Sequence, residues 1–150
     1  MDLARLDSLL LELTDSERAY HAGARYDWND AFSWGHQQGI GEKHIHKIGD
    51  PTQALHQEGM PEGLSIVRNS RFNPVPEHVH DYVEISYVYR GHAPQVVNGE
   101  QLTLAQNEVL LLDAACPHAV GELGEHDIML SIVISRSMLH RSLEQSLSPS

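Results

Sequence analysis

The chain has 150 residues, enough for one compact domain, and its 41% hydrophobic and 21% charged residues indicate a globular rather than a disordered protein. Ten Lys and Arg stand against 21 Asp and Glu, and the net charge of −11 argues against nucleic-acid binding by this chain, because phosphate contacts need clustered positive charge. No apolar run approaches the roughly 20 residues of a membrane span, and the single cysteine, Cys116, excludes an internal disulfide and favours a reducing, cytoplasmic location.

The N-terminal residues are predicted to form two short helices. Leucines recur there at helical spacing and predict an amphipathic helix over residues 2–13: Leu3, Leu6, Leu9, Leu10 and Leu13. Thr14 and Glu17 then form a capping-box pattern, which opens a second helix that extends to about Ala22.

Residues 23–62 show little periodicity, and we expect irregular cover there with one strand at Lys43–Ile48. Trp28 and Trp34 are expected to anchor this segment to the core. The sequence His44-Ile45-His46 places two imidazoles on one face of that strand, and we interpret them as surface or filler residues.

Residues 63–134 have a different pattern, in which short apolar runs follow one another between turn residues. These runs are 64–68, 82–89, 95–97, 101–104, 109–112, 118–120 and 127–134. Asn98-Gly99 between two of them predicts a hairpin, because a type I′ turn needs positive φ at both central residues. Short strands without intervening helices indicate an antiparallel sandwich or barrel. The run 82–89 is apolar on both faces, so we expect it to be covered on both sides.

Residues 135–150 are predicted to form a closing helix and a linker. Leu139, Leu143 and Leu147 recur every four residues and so share one face of a helix. This stripe packs on the chain's own barrel, on the N-terminal helix or on a partner, and we favour a homodimer. Together with residues 1–62 and 63–134, this segment completes one compact domain.

The histidines give the strongest functional signal. His78 and His80 point to the same face of an extended strand, and Glu84 and Arg90 keep the same parity. His118 lies on a later strand that an antiparallel barrel can bring close. Three imidazoles and a carboxylate suit Zn²⁺, Fe²⁺, Mn²⁺ or Ni²⁺. His78 and Glu84 can share a metal only if the chain folds back between them, because six residues of straight strand cover about 20 Å.

The spacing His78-x-His80-x3-Glu84-x6-Gly91 resembles the first cupin motif. The leading glycine of that motif is replaced by Phe72. In the second motif His118 is kept, whereas three other residues stand where glycine, proline and glycine are usual: Asn107, Asp113 and Ala115.

The stretch from about Arg68 to Ile134 more narrowly resembles the N-terminal sensory domain of AraC-type transcriptional regulators. The resemblance is carried by residues 71–72, 78–91, 97–104, 108–113, 116–118 and 127–132. It implies a mainly β fold, the cupin double-stranded β-helix or jelly-roll barrel, here with flanking N- and C-terminal helices. Such domains bind a small effector, often a sugar, inside the barrel.

The resemblance also implies roles for individual residues. His78, His80, Glu84 and His118 fall where metal-binding cupins keep their ligands, and Arg90 matches a position where an arginine can hydrogen-bond a sugar. All five are therefore predicted ligand-binding residues.

Three functions are compatible with the sequence. The first is the effector-binding domain of an AraC-type regulator, whose DNA-reading helices would require roughly 100 further residues. The second is a stand-alone metal-dependent cupin enzyme, a dioxygenase or an isomerase. The third is a non-catalytic structural or sugar-binding cupin. We favour the first, with a small-molecule effector as partner and without nucleic-acid or membrane binding by the chain itself.

Overall fold

The computed structural model describes residues 2–25, 36–40, 43–48 and 59–149, with only the backbone described for 36–40 and 43–48. Trp28 and Trp34, and with them much of the predicted irregular cover, lie outside the described residues.

Three helices flank the strands of the described residues. Helix α1 spans Leu3–Leu11 and helix α2 spans Asp15–His21, where Thr14 and Glu17 form the predicted capping box. Helix α3 spans Arg136–Leu147. Its N-cap residue is Ser135, whose side chain accepts a hydrogen bond from the Met138 amide. No helix in the described part of the chain is long and apolar enough to cross a membrane.

The described residues form ten strands in two sheets. The strands are β1 (His36–Ile40), β2 (Lys43–Ile48), β3 (Leu64–Arg68), β4 (Val75–His80), β5 (Val83–Arg90), β6 (His92–Val97), β7 (Glu100–Ala105), β8 (Val109–Leu112), β9 (His118–Val120) and β10 (Ile128–Ile134). The larger sheet has the order β1-β2-β4-β9-β6-β7, and the smaller has the order β3-β10-β5-β8.

The pairing confirms the antiparallel fold predicted from the sequence. Every pair among β3 to β10 is antiparallel, and Asn98 and Gly99 join β6 to β7 with φ angles of 50° and 81°. The strand predicted at Lys43–Ile48 is present as β2, and it runs parallel to β4. Strand β1 was not predicted, because its sequence, HQQGI, shows no apolar alternation and its described strand pairing is to β2 alone.

Strand β5 alternates between a buried inner face and a half-buried outer face. The inner face is covered as expected, and the outer face is covered only in part. That face continues into exposed Val109 and Leu111 on the neighbouring strand β8, and exposed Ile66 lies on β3, beyond β10. The inner faces of the two sheets meet around six buried apolar side chains, which we call the apolar core: Val88, Ala93, Leu104, Val120, Leu123 and Met129.

A buried ion pair anchors the N-terminal helices to the barrel. The Glu17 carboxylate accepts hydrogen bonds from the Arg71 backbone and from its guanidinium at 2.8 to 2.9 Å. Arg71 also donates to the backbone carbonyls of Leu11, Glu12 and Glu125. Burial raises the pKa of Glu17, but the hydrogen bonds from Arg71 and Thr14 outweigh it and lower that pKa to about 2.

Candidate metal and effector site

Three buried histidines meet inside the barrel. In the described residues the possible ligand atoms of His78, His80 and His118 all lie within 4.8 Å of one another. Strands β4 and β9 are neighbours, with His78 paired to His118, and His80 follows on the same face of β4. The ring centroids of His78 and His118 are 4.1 Å apart, and those of His80 and His118 are 4.8 Å apart.

Each imidazole is oriented by a backbone carbonyl. His78 Nδ1 lies 2.8 Å from Pro76 O, His80 Nδ1 lies 2.9 Å from Tyr82 O, and His118 Nδ1 lies 2.9 Å from Cys116 O. A carbonyl can only accept, so in all three rings Nδ1 carries the proton and donates it. In His78 and His118, Nε2 then carries the lone pair, which is the arrangement that metal-binding histidines adopt, whereas His80 Nε2 faces the carboxylate of Glu84.

Glu84 joins the cluster because the chain turns a corner after His80. Two residues, Asp81 and Tyr82, carry the chain from the larger sheet into the smaller one. Glu84 Oε2 lies 3.0 Å from His80 Nε2 and 3.8 Å from His118 Nε2. The chain thus folds back at this corner without glycine or proline, and Glu84 reaches His80 and His118.

The second oxygen of the Glu84 carboxylate is bound by two serine hydroxyls. Glu84 Oε1 accepts hydrogen bonds from Ser131 Oγ at 2.7 Å and from Ser86 Oγ at 3.4 Å. Burial raises the pKa of Glu84, but the hydrogen bond from His80 and the nearby imidazoles outweigh it and lower that pKa to about 2. The carboxylate is therefore ionised at neutral pH.

Two of the imidazoles are neutral at pH 7. Burial, followed by the neighbouring His118, lowers the pKa of His78 to about 3, and burial also lowers the pKa of His118. Neutral imidazoles and an ionised carboxylate are the forms that bind transition metals.

The contact between His80 and Glu84 points to a cation. His80 Nδ1 faces the Tyr82 carbonyl and its Nε2 faces a Glu84 carboxylate oxygen at 3.0 Å, so in a neutral His80 one of these contacts joins two acceptors. Such a contact is stable only with a proton or a metal ion between the two atoms. The donor set of three imidazole nitrogens and one carboxylate oxygen fits Zn²⁺, Fe²⁺, Mn²⁺ or Ni²⁺.

Arg90 does not join this cluster, contrary to the expectation that it lies near the histidines. It ends β5, at the opposite end of the strand from Glu84, and it is exposed. There it lines a surface depression of about 400 Å³ with four other residues: Asp7, Tyr89, Gln106 and Asn107. Glu84 and Arg90 lie on the same face of the strand because they have the same parity, but parity does not fix the distance between two residues along the strand.

The sequence pattern did not single out several interior polar residues, and three of them concern the site: Ser86, Gln95 and Ser131. The position of Ser86 could have been predicted, since strand parity places it on the same face as Glu84. For the other two, only the pairing of the sheets shows that they lie near the histidines.

The sequence model of the AraC-like ligand binding domain matches residues 67–147. The chain belongs to this family. This confirms the resemblance noted from the sequence, and the fold is the mainly β cupin barrel that the resemblance implied. No curated protein matches the chain at a significant level.

Solved structures, two of them described as cupins, are similar to this AraC-like ligand binding domain. A protein of Photorhabdus luminescens, plu4264, is 16% identical over 63% of this chain and 81% of its own, with a TM-score of 0.48. A Cupin 2 conserved barrel domain protein of Salinispora arenicola is 18% identical over 59% and 77%, with a TM-score of 0.46. A cupin superfamily protein of Desulfitobacterium hafniense is 21% identical over 48% and 65%, with a TM-score of 0.42.

The departures from the cupin motifs have a conformational explanation. Phe72, Asn107 and Ala115, which replace motif glycines, have φ angles of 68°, 67° and 64°. The backbone thus keeps the left-handed conformation for which glycine is the usual residue. In each case the amide of the strained residue donates to a carbonyl of the barrel, and Ala115 donates to His80 O at 2.7 Å.

Proposed function

We propose that this domain is the sensory part of an AraC-type transcriptional regulator and binds a small effector on a divalent metal inside the barrel. The observation that carries the proposal is the buried group of three imidazoles, each with its Nδ1 on a backbone carbonyl. Backbone carbonyls fix the rings in the metal-binding tautomer before any metal arrives.

The metal would be held by His78, His80, His118 and Glu84. When bound, such an ion supplies a Lewis acid that attracts an oxygen of the effector. The chain's own residues do the rest. Ser86 and Ser131 hold the carboxylate, and the surrounding barrel keeps water away from the contact. A sugar or another oxygen-rich molecule suits this chemistry.

The test is metal analysis of protein prepared without chelator, followed by thermal unfolding with and without added Ni²⁺ or Zn²⁺. The wild-type protein is expected to retain about one equivalent of metal, whereas His80→Ala loses it. His126→Ala is the matched control, because His126 is exposed and lies away from the cluster. Equal metal content in wild type and His80→Ala contradicts the proposed site.

Dimerisation through helix α3 is part of the proposal. Leu139, Leu143 and Leu147 are 36%, 53% and 81% exposed, and no residue of α3 is buried. Packing against the chain's own barrel therefore leaves much of this stripe in contact with water. A second copy of the stripe would cover it, as in antiparallel or parallel helix pairs.

Leu143→Glu tests this, since it places a charge in the middle of the stripe. Sedimentation is expected to show a dimer for the wild type and a monomer for the variant, while Ser142→Glu, on the neighbouring helix position, leaves the dimer intact. A wild-type chain that is monomeric at high micromolar concentration contradicts the dimer.

We also propose that the domain itself does not bind DNA and acts in the cytoplasm. Its net charge of −11 repels the phosphate backbone. A gel-shift titration of the isolated domain with duplex DNA checks this, and binding that weakens steeply with added salt contradicts it.

A metal-dependent cupin enzyme is the second candidate, favoured by the three buried imidazoles and the Glu84 carboxylate beside His80. A dioxygenase or an isomerase would turn over its substrate, whereas a sensor only binds its effector. Oxygen consumption or product formation by the metal-loaded chain, abolished in His80→Ala, would favour the enzyme.

A further inference from the structure

The side chain of Gln95 is buried inside the barrel with an unsatisfied acceptor. Gln95 is 2% exposed, and its Nε2 donates to the Met129 sulfur at 3.4 Å. Within the described residues its Oε1 has no hydrogen-bond partner. A buried amide oxygen without a partner destabilises the folded state, so such groups are rare in folded proteins.

Gln95 lies one step along the sheet from the histidines. Strand β6 runs antiparallel beside β9, with Val97 paired to His118 and Gln95 paired to Val120. Gln95 and His118 are therefore diagonal neighbours on the inner face, with Cα atoms about 7–8 Å apart. Gln95 thus marks the boundary between the histidines and the apolar core.

The opposite sheet shows the same boundary. Met129, which receives the Gln95 amide, is two residues from Ser131 on the same face of β10. Ser131 in turn donates to Glu84 Oε1 at 2.7 Å. On β9, Val120 pairs with Gln95, and His118 lies two residues away on the same face. On β10, Met129 contacts Gln95, and Ser131 lies two residues away on the same face. In both sheets the polar residues of the site therefore begin directly beyond the apolar neighbour of Gln95.

We propose that Gln95 Oε1 accepts a hydrogen bond from the effector and so determines its specificity. This rests on the proposed function, in which another oxygen of the same effector binds at His78, His80 and His118. The effector would then be a compact molecule that carries a metal-binding oxygen and, a few ångströms away, a hydroxyl or amine donor. A small hydroxy acid or a sugar has this pattern, and a simple carboxylate lacks the donor.

A methionine variant distinguishes a role of Gln95 in effector binding from a purely structural role, because the two roles predict opposite changes in stability. Gln95→Met keeps the length of the side chain and its contact with Met129, but removes the unsatisfied acceptor. If the acceptor is left over for an effector, the effector-free variant unfolds at an equal or higher urea concentration than the wild type. If Gln95 holds the barrel together, for example through a buried water, the variant unfolds earlier.

The experiment compares wild type, Gln95→Met and the control Gln101→Met, in which an exposed residue of β7 is changed. Ni²⁺ affinity is measured first, by calorimetry, and failure of the wild type to bind Ni²⁺ refutes the proposed function itself. Thermal shifts of the nickel-loaded proteins are then measured with lactate, glycerate and ribose, and with propionate as the probe without a hydroxyl donor.

The wild type and Gln101→Met are expected to bind at least one hydroxylated probe about tenfold more tightly than propionate, the worth of one good hydrogen bond. Gln95→Met is expected to keep its Ni²⁺ affinity and lose this preference. The inference is overturned if Gln95→Met keeps the preference, if it unfolds earlier in urea, or if the wild type has no preference.

Discussion

The two ends of the barrel interior are built from the same strands but in opposite ways. At one end, six apolar side chains pack into the apolar core. At the other end, three histidines and Glu84 are buried side by side and held by backbone carbonyls and serine hydroxyls. Both ends are equally inaccessible to water, so burial alone does not distinguish them.

The difference lies in what each end contributes to folding. The apolar core gains free energy from the removal of apolar surface from water, roughly 25 cal/mol per Å². The histidine end loses hydration of an ionised carboxylate and of imidazoles, and its hydrogen bonds only offset this loss. A protein keeps such an arrangement when the polar groups serve binding, and stability is supplied elsewhere in the fold.

The largest expected effect comes from the apolar end. Leu104→Ala removes a buried side chain of the apolar core and is expected to lower the free energy of unfolding by about 3 kcal/mol, as buried Leu→Ala changes do. Its folded form should bind Ni²⁺ as the wild type does. Urea unfolding and calorimetry measure the two quantities.

Leu111→Ala is the control, because Leu111 is exposed on the outer face of the smaller sheet. It should change stability by less than about 0.5 kcal/mol. Loss of Ni²⁺ binding in folded Leu104→Ala would show that the two ends are not separable.

A smaller effect is expected at the buried ion pair outside the interior. Glu17→Gln leaves Arg71 bonded to three carbonyls, so the loss should be about 2 kcal/mol, below the roughly 3–5 kcal/mol typical of a broken buried pair. Glu17→Asp serves as a control that keeps the charge.

The same pair makes a prediction for pH. The pKa of Glu17 is lowered to about 2 in the folded protein from an ordinary 4.5, so its stabilisation is present above pH 4.5 and is lost as the pH falls toward 2. Stability of Glu17→Gln should therefore depend less on pH between 5 and 2. If the free energy of unfolding of Glu17→Gln falls with pH as steeply as that of the wild type, the acid sensitivity is assigned to Glu84, whose pKa is lowered to the same range.

The smallest effect is expected at the turn before the third histidine. Ala115→Gly removes the strain of an alanine in the left-handed backbone conformation and should raise the free energy of unfolding by about 1 kcal/mol. Ala119→Gly, in strand β9, should lower it by roughly 0.5–1 kcal/mol, because glycine weakens a strand. Denaturant midpoints compare the two, and a loss of stability in Ala115→Gly would contradict the strain.

Local patterns were enough to predict most elements of the fold. The capping box at Thr14, the hairpin at Asn98-Gly99 and the apolar runs of the barrel depend on neighbouring residues, so they could be found without the tertiary structure. Strand β1 was missed, because an edge strand held by backbone hydrogen bonds needs no apolar pattern.

The amino-acid sequence by itself determined which residues form the histidine group, since the spacing of His78, His80 and His118 matches a family pattern. Only the tertiary structure decided that Glu84 joins it and Arg90 does not. A corner between two sheets brings Glu84 to His80, whereas six residues of straight strand carry Arg90 to the far end. The unsatisfied oxygen of Gln95 was likewise invisible in the sequence, because burial without a partner is a property of all the strands around it.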